Sequence, residues 1–370
     1  MINLRNKRVA RIINKDISII KCEILKYFPK STIILRGSFY YDEGSVSFQN
    51  KKTAFFSDYD LFIILDYYNP LRFFRDLSKI KQLKQDLDRK KYILTNKRAD
   101  LSFTWKPFEI VGIQRDIKEG VALFNDDDFY KKKKYERFRD CDLIYKTEQV
   151  YTSLLLSHPL KEQSQEDVRK IILAVIESLQ IYYLTNTKGY KTFSNKQIYE
   201  ELVKKRFLSL EEKMFYKRCL DKKLNPNHNI RIKNKELWFK AKSLVDKALS
   251  RTYLTDKRND IHSRILKKTS FFLKIKNSLM LILSLKEQKV NINWVRIFNI
   301  CSLNLLNKIN LVNCIKKDLK IDEGLLKNVE SNIFNINRQK SKLSNPKERF
   351  LWCLEQTAFY KRKNPLVIKL

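Results

Sequence analysis

Two stretches decide the reading of this chain: LRGSFYYDEGSV, Leu35–Val46, and SDYDLFIIL, Ser57–Leu65. Thr32-Ile33-Ile34-Leu35 is a short apolar run of strand type that ends at Gly37. Leu61–Leu65 is a second such run, entered from Asp58-Tyr59-Asp60. Upstream, Val9, Ile12, Ile13, Ile17, Ile20 and Ile24 recur at helical spacing, which predicts an amphipathic helix over residues 7–28, stopped by Pro29. Downstream, residues 69–90 read as a helix. Ala99–Trp105 then alternates, with Ala99, Leu101, Phe103 and Trp105 on one side and Asp100, Ser102 and Thr104 on the other. The order is helix, strand, loop, strand, helix, strand, which is an α+β domain.

The polar residues of these strands carry the chemistry. Asp58 and Asp60 stand two apart at the start of a strand, so both carboxylates project from one face. Asp100 faces away from Leu101 and Phe103 on another strand. If the strands are neighbours, three carboxylates converge at one end of a sheet. Mg²⁺ suits that set: carboxylate oxygens on one side, water and substrate phosphates on the other. Two such ions clamp an in-line phosphoryl displacement. Gly37 allows close backbone approach to a phosphate, and the Ser38 hydroxyl and nearby amides can donate to its oxygens. Gly44-Ser45 is a second pair of this kind. Arg36 is placed to hold an anionic substrate or to pair with an acid. Surface turn acids are the bland alternative. Like charges directly before an apolar strand weaken it, because they need a counter-ion.

With these residues in hand, the chain resembles the DNA polymerase β-type nucleotidyltransferases. In that superfamily a Gly-Ser after the first strand precedes an Asp-x-Asp on the next, and a third acid follows on a later strand. Gly37 and Ser38 match the Gly-Ser, Asp58 and Asp60 the Asp-x-Asp, and Asp100 in RADLSF the third carboxylate. IKEGVALF, Ile117–Phe124, resembles the helix that closes the minimal domain. The resemblance spans roughly residues 1–125 and implies transfer of a nucleoside monophosphate from an NTP, with release of pyrophosphate and two Mg²⁺ ions. It implies that Asp58 and Asp60 bind metal, and that Asp100 completes the site nearest the attacking hydroxyl and helps deprotonate it. One departure stands out. Phe39 to Ser57 separate Ser38 from Asp58, about twice the usual spacing. The extra SFQNKKTAFF reads as a hairpin or lid, and the lengthening leaves the acceptor open.

Beyond the first domain the pattern changes. Asn125–Asp140 is charge-dense, with Asp126-Asp127-Asp128 before Lys131–Lys134, and reads as a solvated linker or helix face over 126–150. An all-α region follows, divided as a helical domain over 151–255 and a second unit or continuation over 256–370, with Leu254–Arg258 as the joint. Val168, Ile171, Ile172, Val175, Ile176 and Leu179 form one apolar stripe. Ser194 with Gln197, and Ser209 with Glu212, have capping-box spacing. Further helices are expected through Leu237–Leu249, Ile261–Leu285, Trp294–Leu306 and Glu348–Phe359. The scattered tryptophans and the apolar stretch Phe271–Leu285 read as core, and His158 and His228 as loop residues. Arg258 and His262 are separated by three residues, a near miss to the Arg-x(4–6)-His motif of helical HEPN ribonucleases, and a surface helix start accounts for them better.

Composition bounds the rest. The chain has 370 residues, with 76 Lys and Arg against 41 Asp and Glu, a net charge of +35. With 43% hydrophobic residues it is no disordered polycation. Residues 1–150 carry 31 basic and 21 acidic side chains, and residues 151–370 carry 45 and 20, so the helical part is the more basic. Lys outnumbers Arg by 54 to 22 alongside many Ile and Asn, a bias that an AT-rich genome also produces. The six cysteines form no Cys-x-x-Cys pair and there are only three histidines, which argues against a zinc site of the usual kind. No signal peptide or membrane span is legible, so the expectation is a cytoplasmic protein without a membrane partner. An RNA 3′ end is one expected acceptor, using the basic helices. A small-molecule or protein hydroxyl, oligonucleotide synthesis, and a non-catalytic RNA-binding or toxin–antitoxin-type module are the alternatives.

Overall fold

Asn6 starts the first helix: its side chain accepts from the amides of Arg8 and Val9 at 3.0 and 3.1 Å and caps α1, Lys7–Tyr27. Val9, Ile13, Ile17, Ile20 and Ile24 are buried along one side, as the sequence stripe predicts. The computed structural model describes residues 6–49, 52–55, 57–66, 75–96, 99–105, 121–124, 140–186, 194–205, 207–228, 230, 232–253, 300–337, 341–359 and 368–369. The chain divides into two units, residues 1–137 with 224–228 and 364–370, and residues 138–223 with 229–363. The first is a mixed sheet with helices, and the second is largely helical.

In the first unit, α1 leads to β1 (Thr32–Arg36), a hairpin of β2 (Val46–Gln49) and β3 (Lys52–Phe55), then β4 (Tyr59–Leu65). Next come α2 (Leu77–Lys90), β5 (Ala99–Trp105) and β6 (Val121–Phe124), and β7 (Ile368–Lys369) joins from the far end of the chain. The sheet order is β6-β1-β4-β5-β7. β1 is antiparallel to β4 and β6, whereas β4 and β5 are parallel. A parallel pair needs a crossover, and α2 lies within it. α1 and α2 cover one face, where Ile33, Leu35, Leu61, Ile63, Leu101 and Phe103 meet Ile13, Ile17, Ile20, Ile80 and Leu83 in one core. Asp60 and Asp100 alternate with these residues, so they belong to the opposite face.

The insert before Asp58 is the hairpin β2–β3, with Val46 opposite Phe55 and Gln49 opposite Lys52. One expectation is overturned: residues 121–124 of IKEGVALF form strand β6, not the end of a helix, while residues 117–120 lie outside the described residues. A short apolar run gains more from the free hydrogen-bonding edge of β1 than from a single helical turn. Lys21 Nζ donates to the Leu123 carbonyl at 3.4 Å and ties this edge strand to α1.

The second unit holds α3 (Asp140–Leu156), α4 (Gln165–Asn186), α5 (Asn195–Lys204), α6 (Leu210–Leu224), α7 (Asn234–Tyr253), α8 (Ile300–Cys314), α9 (Glu323–Asn337) and α10 (Pro346–Phe359). α3 begins at Asp140, so the boundary expected at 150 falls inside a helix. The split at 255 separates no cores either. Val150, Leu154, Ile171, Val175, Trp238 and Val245 share one cluster with Leu305, Val312, Val329 and Phe350, so the described helices after residue 300 continue the core of those before 253. Trp238 is core as expected, its indole N–H donating to the Leu154 carbonyl at 2.9 Å. Both caps form. The Gln197 amide donates to Ser194 Oγ at 3.4 Å. The Ser209 amide donates to Glu212 Oε2 at 2.7 Å while the Glu212 amide donates to Ser209 Oγ at 3.3 Å. Across α3 and α8, Lys308 and Glu148 make a buried ion pair at 2.9 Å. The expected helix Ile261–Leu285, the Arg258/His262 pair and Lys131–Lys134 lie outside the described residues. Among the described residues no helix is long and apolar enough to cross a membrane.

His158 lies in the connection after α3, as expected, but it is buried against the ring of Phe350 at 5.5 Å. Burial first, then the nearby Lys161, pushes its pKa down from 6.5 to about 4. Its folded value lies below its unfolded one, so between these two values the unfolded chain binds a proton that the folded chain does not. Stability therefore falls as pH drops from about 6.5 to about 4. Urea midpoints across this range are expected to show that limb in the native chain and to lose it in His158→Gln.

Candidate active site

β1 and β4 pair with Arg36 opposite Asp60, and β4 and β5 pair with Asp60 beside Asp100. Arg36, Asp60 and Asp100 are therefore one row across three adjacent strands, spaced at about 4.8 Å per strand. Register partners project to the same side. Asp58 stands just ahead of β4, two residues before Asp60, half-buried. Below the row the same face holds Ile34, Phe62, Ile64 and Ser102, all buried. The Arg36 guanidinium lies along this face, its carbon 5.4 Å from the centre of the Phe62 ring and its Nη2 donating to Ser102 Oγ at 3.5 Å. It sets a fixed positive charge beside two neighbouring carboxylates.

Gly37 ends β1 with φ +75°. A Cβ there would stand 2.2 Å from Asp60 Oδ2 and 3.0 Å from its Cγ. The missing side chain is thus the space that the Asp60 carboxylate occupies. The backbone then turns tightly. The Gly37 carbonyl accepts from the amides of Tyr40 and Tyr41 at 3.1 and 3.4 Å, and the Ser38 carbonyl from Glu43 at 2.8 Å. Among the described residues the amides of Ser38 and Phe39 donate to no backbone carbonyl. They are the leading N–H groups of a helical-type turn, the geometry that receives anions.

Gly44 and Ser45 have other contacts. A Cβ on Gly44 would fall 2.3 Å from the Phe39 ring, so this glycine admits an aromatic side chain. The Ser45 amide donates to Ser57 Oγ at 2.8 Å and closes the root of the hairpin. Phe39, Phe55 and Tyr59 pack together there, with ring centres 5.4 to 6.3 Å apart. The hairpin is anchored through Tyr59 to the segment that carries Asp58 and Asp60.

Tyr59 leads to a residue that the sequence reading passed over. Its hydroxyl donates to Asp16 Oδ2 on α1 at 2.8 Å, and both side chains are fully buried. Asp16 also accepts from the amides of Thr95 and Asn96, at 3.1 and 2.8 Å. Asn96 in turn donates through its side chain to the Ser57 carbonyl at 3.1 Å. Burial and then the Asp16 carboxylate hold the Tyr59 hydroxyl protonated far above the usual tyrosine range. One buried acid thus pins the residue between Asp58 and Asp60 and the loop that enters the strand of Asp100. A sequence signal existed: Asp16 falls between Ile13, Ile17 and Ile20, an acid on the apolar side of an amphipathic helix.

Carboxylates are the right donors for a hard divalent cation. Among the described residues no three His, Cys, Asp or Glu side chains gather closely enough to hold a metal by themselves. Mg²⁺ rarely uses an all-protein cage. One or two carboxylates suffice when substrate phosphates complete the shell, and the adjacent Asp60 and Asp100 fit that mode. No family model matches the chain, and neither a curated protein nor a solved structure gives a match.

The close fit of Gly37 and Asp60 is measurable. Gly37→Ala is expected to lower stability by about 3 kcal/mol in urea unfolding. In an Asp60→Ala background the loss should shrink toward the 1–2 kcal/mol, roughly, of a left-handed alanine. Asp16→Ala leaves the Tyr59 hydroxyl and two amides without their acceptor and is expected to cost about 3 kcal/mol or more in the same assay.

Proposed function

We propose that the protein is a nucleotidyltransferase of DNA polymerase β type, moving a nucleoside monophosphate from an NTP to an acceptor hydroxyl with release of pyrophosphate. The observation that carries this reading is the row Arg36–Asp60–Asp100, with Asp58 at its edge and the Asp60 carboxylate seated over Gly37. Acids in register on parallel neighbours favour a cation bound between them.

Asp58, Asp60 and Asp100 are the residues that would hold Mg²⁺, two ions in the full complement. When bound, Mg²⁺ supplies charge neutralisation and polarisation of the phosphoryl group. The amides of Ser38 and Phe39 bind phosphate oxygens of the NTP at the turn, and the Ser38 hydroxyl adds a further donor. Asp100 takes the proton of the acceptor hydroxyl. The new oxygen–phosphorus bond forms at the α-phosphate, the bond to the bridging oxygen breaks, and pyrophosphate leaves in line. The hairpin β2–β3, rooted at Ser45 and Ser57, stands beside this turn and shapes access to it. An RNA 3′ end is the acceptor favoured by the basic excess. The exposed, free thiol of Cys22 and the buried ones of Cys219, Cys314 and Cys353 fit a reducing compartment, and we place the enzyme in the cytoplasm.

Incubation with each α-labelled NTP, Mg²⁺ and either RNA or a metabolite extract tests the reading. Label is expected to move to acceptor, and Asp58→Ala, Asp60→Ala or Asp100→Ala to lower transfer on the order of 10³-fold. No transfer, with wild type and variants alike, would sink the enzyme. Transfer to RNA that collapses between about 50 and 200 mM salt identifies a polynucleotide acceptor. Salt-insensitive transfer points to a small one.

A further inference from the structure

The outer surface of α1 and α2 has a composition that neither the core nor the carboxylate row requires. Along α1 the exposed positions Lys7, Arg11, Lys15, Ser18, Cys22 and Lys26 recur every three or four residues, a single stripe without an acid. The two acids of this helix, Asp16 and Glu23, are both buried. Asp16 serves the Tyr59 network, and Glu23 is held by Lys26 and Lys90. Burial alone would raise the Glu23 pKa, and the two ammonium groups overcome it and lower it. Among the described residues Arg11, Lys15, Lys81 and Lys84 make no ion pair, although all are exposed.

α2 runs antiparallel to α1, as three contacts show: Tyr27 with Asp86, Glu23 with Lys90, and Asp16 with Thr95. The segment just after α2 therefore passes alongside the middle of α1. There Tyr92 is 81% exposed, next to Lys90 and Lys91. Tyr92 belongs to neither the buried core nor the partly buried side chains packed on it, and of the two lysines before it Lys90 pairs with Glu23 and Lys91 with Asp88. An aromatic face flanked by basic side chains is what an unpaired base and its phosphates need.

We infer that the α1–α2 face of the first unit is a docking surface for single-stranded nucleic acid, with phosphates along Arg11, Lys15, Lys81 and Lys84 and a base stacked on Tyr92. This surface lies on the opposite side of the sheet from Asp60 and Asp100, and the inference does not depend on nucleotidyl transfer. A lipid surface is the competing anion. It is less favoured because the large apolar side chains exposed on this surface, Tyr92 and Ile93, stand at one place, and the stripe on α1 carries none among its cations to enter a bilayer.

The test is fluorescence anisotropy of a labelled single-stranded oligouridylate with the full chain over a range of salt. Arg11→Ala/Lys15→Ala is expected to flatten the slope of log affinity against log salt by about 1.4, or 0.7 per lost phosphate contact. Tyr92→Ala is expected to weaken binding roughly tenfold with the slope unchanged, and Tyr92→Phe to restore it. Saturating oligonucleotide is expected to slow alkylation of Cys22, the exposed thiol within the stripe, as read by mass spectrometry. The matched control is Lys235→Glu/Lys327→Glu, two exposed lysines of the second unit, set against Arg11→Glu/Lys15→Glu. Equal weakening by both reversals, an unchanged Cys22 rate, or no oligonucleotide binding at all overturns the proposal. Binding to phosphatidylserine-containing vesicles that Arg11→Glu/Lys15→Glu abolishes, without oligonucleotide binding, overturns it in favour of a membrane.

Discussion

The first unit is organised around one carboxylate in an apolar place. Asp16 sits inside the isoleucine stripe of α1, where an unsolvated acid is costly unless donors surround it. Three donors do so: the Tyr59 hydroxyl and the amides of Thr95 and Asn96. That requirement fixes α1 against the first residue of β4 and against the loop that enters β5. The two strands that carry the aspartates are thus located from a common point. A shift of either strand by one residue would break the network and send its acids into the core.

Given that anchor, the row of polar side chains follows from pairing. β4 and β5 are parallel and in register, and β1 runs against β4, so Arg36, Asp60 and Asp100 fall in line. The alternate residues of the same strands, Leu35, Leu61 and Leu101, fill the core beneath α1 and α2. The polar row and the apolar core are two sides of one period-two pattern. Gly37 completes the fit, because at that position only hydrogen leaves room for the Asp60 carboxylate.

Much of this was legible in order of locality. α1, β1, β4, β5 and the two serine caps follow from short-range patterns and were found where the patterns lie. The insert is a hairpin, one of its two expected forms. Asp16 was overlooked because its neighbours made the helix look complete without it. Residues 121–124 were misread because a four-residue apolar run has no period of its own. The helical pattern expected from about 150 begins earlier, with α3 at Asp140, the last residue of the charge-dense break. Arg36 could be read two ways until the register set it beside Asp60 and its guanidinium on Phe62 and Ser102.

By itself the sequence determined the elements and their faces. Side chains two apart on a strand share a side, so Asp58 and Asp60 were bound to stand together, and Asp100 was bound to face away from Leu101. Tertiary structure alone decided that β5 lies parallel and in register beside β4, that β6 completes an edge, and that the helical remainder shares one core from Val150 to Cys353. It also decided that Gly37 is needed by Asp60 and that an acid on α1 holds Tyr59. The physical reason is range. Periodicity and capping act over three or four residues of chain. Strand partners, and the donors around a buried charge, are chosen by contacts between segments forty to eighty residues apart.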